Sequence, residues 1–381
     1  MNGFANGGAT LRTGSCGVLA AVLLVVAGRE CICATPLKET EVYRAGEGGY
    51  HTYRIPALIT TRSGALLAFC EGRRNSASDT GDIDVMLRRS TDKGATWSPI
   101  QRIGDMGEDT IGNPMPVLER STGTIFLLLT SNPGRSAEEQ ITRNAPGALR
   151  TVWLMTSADN GVTWTRPVEI TTQVKKPEWT WYATGPGNGI QLRTGRLVVP
   201  CDHNTRDNER HSHVIYSDDR GKTWKIGGVA ADKTNESAVA EMRNGGLVLN
   251  MRSYHGRNRR AVQRSMDGGL SWSPLVLDDA LLDPVCQASL ISAVRGSKRP
   301  NGRLLFSNPA ATTRRNMTVR LSRDDGHSWA VSRAMYEGPS GYSSLAALRD
   351  GSFGLLYERG EAKPYERIEF ARFDTKWLDG K

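Results

Sequence analysis

The chain has 381 residues, of which 38% are hydrophobic and 23% charged, with 49 Lys+Arg against 40 Asp+Glu. That balance describes a folded globular protein and excludes both a disordered tail and a disulfide mini-scaffold. The net charge of +9 favours anionic ligands without choosing among phosphate, acidic glycans and acidic proteins.

In chain order, the first element is an apolar run from Gly17 to Ala27, preceded by Arg12 and followed by Cys31-Ile32-Cys33-Ala34. It is too short to span a bilayer comfortably. A basic residue, a short apolar core and small residues predict an export signal, residues 1–34, cleaved near Ala34. A retained membrane anchor is the alternative, and no later segment reads as transmembrane. Residues 35–381 then form the mature domain, secreted or periplasmic, or in a lysosomal-type compartment in a eukaryote. That domain keeps Cys70, Cys201 and Cys286, which allow one disulfide but not a disulfide framework. There is no C-x-x-C pair to suggest structural zinc.

Two interleaved repeats follow. One is a turn glycine between two apolar runs of strand length, at Gly64, Gly123, Gly195, Gly245, Gly302 and Gly351. The other is S-x-D-x-G-x-[TS]-W, which runs Ser90–Trp97, Ser157–Trp164, Ser217–Trp224, Ser265–Trp272 and Ser322–Trp329. An Asp folding onto nearby backbone N–H groups, followed by a Gly able to take positive φ, makes a tight hairpin turn. The Trp is expected to pack beneath it. No long amphipathic helix competes with the strands. The unit is therefore strand, turn, strand, loop, strand, box turn, strand. Six units predict an all-β fold, a six-bladed β-propeller of four-stranded antiparallel blades. The last unit lacks a box, and the segment around Thr40 to Ala45 is expected to supply its missing strand. Two packed β-sandwiches are the alternative.

In such a unit the start of the first strand, the end of the second and the loop after it share one edge, because the first two strands form an antiparallel hairpin. Arg54, Glu236 and Tyr342 stand at strand starts, Arg73, Arg252 and Glu358 at strand ends, and Asp79 and Arg314 in the loops. Topology thus brings all eight to one rim of a ring. Several Arg and few Lys in one cavity suit a planar anion held by the guanidinium fork.

With these residues in view, the chain resembles the bacterial and lysosomal-type exo-α-sialidases (neuraminidases). The resemblance rests on Tyr53-Arg54-Ile55-Pro56, the five boxes and Gly338-Pro339-Ser340-Gly341-Tyr342-Ser343-Ser344-Leu345, and it covers about Tyr43 to Phe373. It implies that Arg54, Arg252 and Arg314 clamp the sialic acid carboxylate, with Glu358 buttressing Arg54. Arg314 is chosen over Arg315 because relatives place the arginine two residues before the Asn or Asp that opens the next strand, here Asn316. The resemblance further implies Tyr342 as nucleophile, Glu236 as its base, Asp79 as acid/base and Arg73 as a contact on the O4 side of the sugar. Asn113 stands where many relatives carry an acidic residue. The implied substrates are sialylated glycoproteins, gangliosides and oligosaccharides, with no metal or organic cofactor, and a monomer is expected. A trans-sialidase and a non-catalytic sialic-acid lectin are the alternatives. A lectin has no need of Tyr342, Glu236 and Asp79.

Other signals read as structural. His211 and His213 alternate on one strand near His203, as a zinc pair would, but fit a partly exposed strand better. Arg257, Arg259 and Arg260 cluster without interleaved aromatics, so nucleic-acid binding is not expected. Trp179, Trp181 and Tyr182 are placed in a loop on the active rim, either lining a subsite or packing. Asn235-Glu236-Ser237 and Asn316-Met317-Thr318 match the glycosylation pattern, the first overlapping a candidate catalytic Glu.

Overall fold

The computed structural model describes residues 3–10, 37–293 and 300–380. The export signal assigned to residues 1–34 lies largely outside the described residues, and those of its residues that are described, 3–10, carry no regular element. Among the described residues no helix is long and apolar enough to cross a membrane.

Among the described residues the regular structure is mostly β, with three helices of four or five residues. Four hydrogen-bonded sheets contain seven, five, four and eight strands, and within them antiparallel pairing runs in successive fours. The first four are Thr52–Thr60, Leu66–Arg73, Ile83–Ser90 and Gln101–Gly104. A single parallel bridge from Ile83 to Thr110 links them to the next set, Thr110–Leu118, Ile125–Asn132, Thr151–Ser157 and Val168–Glu169. The fourth set is Thr234–Glu241, Leu247–Ser253, Arg259–Ser265 and Val276–Leu282. The long strand Val331–Ala347 pairs first with Arg315–Ser322 and then with Phe353–Arg359, and so serves two sets. The outermost strand of the last set is Lys38–Arg44, paired antiparallel with Arg367–Phe373.

The third set departs from the sequence reading, which put its first strand at Gly189–Leu192. Two pieces share that role. Trp179–Thr184 pairs with the far half of Leu197–Thr205, and Ile190–Gln191 with its near half. Trp179, Trp181 and Tyr182 therefore lie on a strand and not in a loop.

The boxes fold as their chemistry requires. In the first, Ser90 Oγ donates to Asp92 Oδ1 at 2.7 Å, and Asp92 accepts from Thr96 N at 2.9 Å and Thr96 Oγ1 at 2.6 Å. Gly94 has φ +85°, and a Cβ there would fall 2.0 Å from the Phe370 ring, so only glycine fits. Each box tryptophan is a staple. Trp97 packs edge-on against Phe370, Trp164 against Phe69 and Trp224 against Phe126, in each case on the preceding set.

Apolar clusters lie between neighbouring sets. Leu67, Phe69 and Val85 of the first meet Ile111, Leu127 and Met155 of the second. Met115 and Val117 of the second meet Val199 and Ile215 of the third. The same arrangement joins the last set to the first, where Val42, Tyr43, Leu356 and Phe370 pack with Tyr53, Leu58 and Leu66. Cys70, Cys201 and Cys286 are buried and free, so no disulfide forms among them. Arg260, read as part of a basic cluster, is wholly buried. It donates to Asn250 Oδ1 at 2.8 Å and to Cys286 O, because strand alternation turns it inward.

Candidate active site

The first strand of most sets is irregular where it reaches the rim. Register slips occur between Arg54 and Ala57, Gly112 and Met115, Thr234 and Ser237, and Ser340 and Ser343. Bulges re-aim side chains, and these lie at Arg54, Asn113, Glu236 and Tyr342. Ile55 takes φ +60° and Asn113 +53°. For a β-branched residue that conformation is strained. It is held by Ile55 N donating to Glu358 Oε1 at 2.9 Å.

The aimed side chains meet in one polar cavity of about 180 Å³. Arg54, Arg73, Asp79, Glu236, Arg252, Arg314 and Tyr342 line it, and Glu358 lies directly behind. Tyr342 Oη donates to Glu236 Oε1 at 2.5 Å. Arg252 Nη1 donates to Glu236 Oε2 at 2.8 Å and to Tyr342 Oη at 3.3 Å. The Arg54 and Arg314 guanidiniums stand 5.0 Å and 5.4 Å from the Tyr342 ring centre. Arg314 also donates to Tyr365 Oη, whereas exposed Arg315 turns away to Glu337 O.

Glu358 is fully buried and saturated. It accepts from Arg54 Nε at 3.1 Å, Arg54 Nη2 at 3.3 Å, Ile55 N at 2.9 Å and Tyr342 N at 2.8 Å. One carboxylate thus fixes a guanidinium and two bulged backbones.

Burial raises the Tyr342 phenol well above its ordinary value, and Glu236 raises it further, against the opposing pull of Arg252 and Arg314. Tyr342 is a neutral phenol beside a carboxylate. Asp79 is the converse case. Partial desolvation raises its carboxyl, but Arg73 at 2.6 Å, Arg54 at 3.6 Å and Arg314 outweigh this and hold it below the ordinary carboxylate value. Its side chain remains 74% exposed, so water screens much of that effect.

Several lining residues were not singled out from the sequence. Glu71 holds Arg73 at 2.7 Å and accepts from Asn113 N at 2.9 Å. Buried Arg150 donates to Asn113 Oδ1 at 2.5 Å and to Thr130 Oγ1 at 2.8 Å, and lies 3.9 Å from the centre of the Trp181 ring. Asp202 is 1% exposed, accepts from Asn235 Nδ2 at 2.8 Å, and is pushed strongly up by burial and by Glu236 and Glu138. The signal existed for two of these. Glu71 and Asp202 end second strands, as Arg73, Arg252 and Glu358 do, and the rule that places one places the others. Tyr365, 4.0 Å below the Arg54 guanidinium, comes from a loop with no such marker.

Of the three aromatics on Trp179–Thr184, only Trp181 lines the cavity. Trp179 and Tyr182 pack with the histidines: Trp179 stacks on His203 at 3.7 Å, and His203 Nδ1 lies 3.0 Å from His213 Nδ1. Burial holds both imidazoles far below their ordinary value, His213 at about 3. Asn235 is buried against Asp202, which removes the first glycosylation pattern from the surface.

A family model described as a BNR repeat-like domain matches residues 64–355. The chain is similar to a sialidase of Micromonospora viridifaciens, 35% identical over 350 residues, covering 88% of this chain and 53% of that protein. It thus spans about half the length of that relative. It is 31% identical to an exo-alpha-sialidase of Arthroderma benhamiae, over 87% of this chain and 85% of that one. Among solved structures it resembles the Hadza microbial sialidase, with a TM-score of 0.80 and 35% identity, covering 89% of this chain and 69% of that one. With the box repeats matched and the likeness running nearly the whole length of the fungal relative, the chain belongs to the sialidase family.

Proposed function

We propose that this protein is an exo-α-sialidase that removes terminal α-linked sialic acid from glycoproteins, gangliosides and oligosaccharides with net retention. The observation that carries the reading is the Tyr342–Glu236 pair at 2.5 Å, ringed by Arg54, Arg252 and Arg314. Most glycosidases attack with a carboxylate, and sialidases with a tyrosine nucleophile are an exception. The reason is charge. Sialic acid bears its carboxylate on the reacting carbon, and a second anion about 4 Å away repels it by about 4 kcal/mol at an effective dielectric of about 20. A neutral phenol avoids that repulsion.

Arg54, Arg252 and Arg314 take the substrate carboxylate, and Arg73 faces the O4 side. In the first displacement the bond from anomeric carbon to leaving oxygen breaks, that oxygen takes the Asp79 proton, Tyr342 oxygen bonds the carbon, and Glu236 accepts the phenol proton. In the second, Asp79 takes a proton from water, the hydroxyl adds to the carbon, the tyrosyl bond breaks, and Glu236 returns the proton. The arginines hold the carboxylate beside the carbon as it becomes oxocarbenium-like. No residue of this scheme calls on a metal or organic cofactor.

The six strand sets act as blades of one propeller, closed by Lys38–Arg44, and that closure lets residues about three hundred positions apart share a cavity. The domain spans residues 35–381 and acts as a monomer. Residues 1–34 direct export, so the enzyme works outside the cytoplasm.

Release of fluorophore from a 4-methylumbelliferyl sialoside tests the activity. Wild type turns over, and Tyr342→Phe loses at least about 10³-fold in kcat. A folded wild type that binds sialyllactose without cleaving it leaves the lectin reading. Transfer to added lactose in place of water identifies a trans-sialidase.

A further inference from the structure

The strands that carry the polar site at one end frame a second, larger cavity at the other. Its volume is about 440 Å³, and its walls come from the far ends of the first strands and the turns that follow them. A buried polar layer fills the space between the two. Ser344 Oγ accepts from Leu58 N at 2.9 Å and donates to Asn188 Oδ1 at 2.8 Å, while Gln287 Nε2 donates to Ser343 O at 2.9 Å. The cavities therefore lie back to back.

The chemistry of the second cavity is unlike the first. Its floor is Ile59, Leu118, Ile190, Ala240, Ile291 and Leu348. Among the described residues its charged groups are Arg62, Arg120, Arg193 and Arg349 against Glu241. The turn sequences explain the bias, because an arginine follows the first strand in unit after unit: Thr61-Arg62, Glu119-Arg120, Leu192-Arg193, Leu348-Arg349. These side chains are held in place. Arg62 Nη1 donates to Ser121 O at 2.7 Å, Arg120 Nη2 to Leu192 O at 3.0 Å, and Arg193 Nε to Glu241 Oε1 at 3.1 Å. Arg349 lies over Gly64, where its Cδ would meet an added Cβ at 2.9 Å. A guanidinium carries five N–H donors, and for Arg62, Arg120 and Arg193 these contacts use only a part.

We propose that this cavity binds a small amphipathic monoanion, an alkyl carboxylate, with its tail on the apolar floor and its carboxylate on the arginine rim. The volume falls in the range of small-molecule pockets, and an apolar lining with a few convergent polar groups is their usual composition. Guanidinium matches carboxylate in bidentate geometry. A free glycan fits poorly, since the floor offers its hydroxyls no partners. Among the described residues lining the cavity, Glu241 is the acidic one, and Arg193 engages it. The inference is independent of the chemistry assigned to the polar site.

Calorimetric titration of the full chain with sodium decanoate, below its critical micelle concentration, tests the proposal. One saturable site is expected. Acetate, which has the charge without the tail, and decyl maltoside, which has the tail without the charge, are expected to bind at least about tenfold more weakly. Arg62→Ala with Arg120→Ala is expected to weaken decanoate by about tenfold or more while leaving the near-UV dichroism and the melting curve of the chain unchanged. Should that pair fail to fold, Arg62→Gln, which keeps a donor for Ser121 O, takes its place with a smaller loss in the same direction. Saturating 3′-sialyllactose is expected to leave decanoate binding untouched. Absence of saturable binding, wild-type affinity in the folded variant, or displacement by sialyllactose overturns the proposal.

Discussion

In the proposed mechanism Tyr342, Glu236 and Asp79 divide the acid–base work through their surroundings. Tyr342 is walled in and kept neutral, while exposed Asp79 faces three arginines that favour its anion. The arginine field favours ionised Asp79, yet the proposed first step needs its proton. In the proposed mechanism, substrate carboxylate bound by Arg54 and Arg314 cancels part of that field and returns Asp79 toward the protonated form. An acid that works only when protonated supports activity below its pKa and loses it as pH rises. The kcat for sialyllactose, which reports the enzyme–substrate complex, is therefore expected to fall with rising pH on the acid side of neutrality. Asp79→Asn should flatten that limb and lower kcat by about 10²–10⁴, with a much smaller loss on an aryl sialoside whose leaving group needs no proton. Glu358 makes a different prediction. Glu358→Ala leaves Arg54 buried without its partner, a change that destabilises by about 3–5 kcal/mol. Urea denaturation of wild type and variant measures it, and a loss under about 1 kcal/mol contradicts the assigned buttress.

At the scale of the element, the box turn sets the response to acid. Hydrogen bonds from Thr96 hold Asp92 at about 2, and Thr163 and Thr223 do the same for Asp159 and Asp219. A depressed folded pKa gives stability that is complete above the unfolded value near 3.9 and is lost as pH falls through about 2. The urea midpoint should therefore drop between about pH 4 and pH 2, and Asp159→Asn should make that drop shallower. An unchanged acid profile in the variant removes the box from the explanation. His213 adds a limb at higher pH. Its folded pKa of about 3 lies below the unfolded value near 6.5, so stability also declines as pH falls below about 6.5.

At the scale of the whole molecule, closure of the proposed propeller rests on one strand from the opposite end of the chain. Lys38–Arg44 covers the edge of Arg367–Phe373, and Val42 and Tyr43 are each 1% exposed within the cluster joining the last set to the first. A chain beginning at Ala45 loses both side chains, about 3–6 kcal/mol together, and bares a sheet edge. The expected result is a lower melting temperature and concentration-dependent association in sedimentation. A truncated chain that melts like the full one contradicts closure by this strand. Arg54 and Glu358, 304 positions apart, depend on the same closure, so loss of activity should accompany loss of the strand.

The amino-acid sequence alone was enough to give the boxes, the hairpins and the strand edge on which each functional residue stands, because these depend on interactions within about ten residues. A carboxylate folding onto its own turn and a glycine between two apolar runs need nothing from the rest of the chain. What reached beyond that range was decided by the tertiary structure. The bulge that turns Ile55 into the left-handed region has no local signature, since a β-branched residue disfavours that conformation. Tyr365 lies in an unmarked loop, and the first strand of the third set is split because Trp179–Thr184 reaches over to the histidines. Arg260 lies in the core despite its charge, because its side of the strand faces Asn250 and Cys286, which accept its hydrogen bonds. Nor is the 2.5 Å contact between Tyr342 and Glu236 written in either segment: it exists because two strands carrying residues 106 positions apart converge on one cavity.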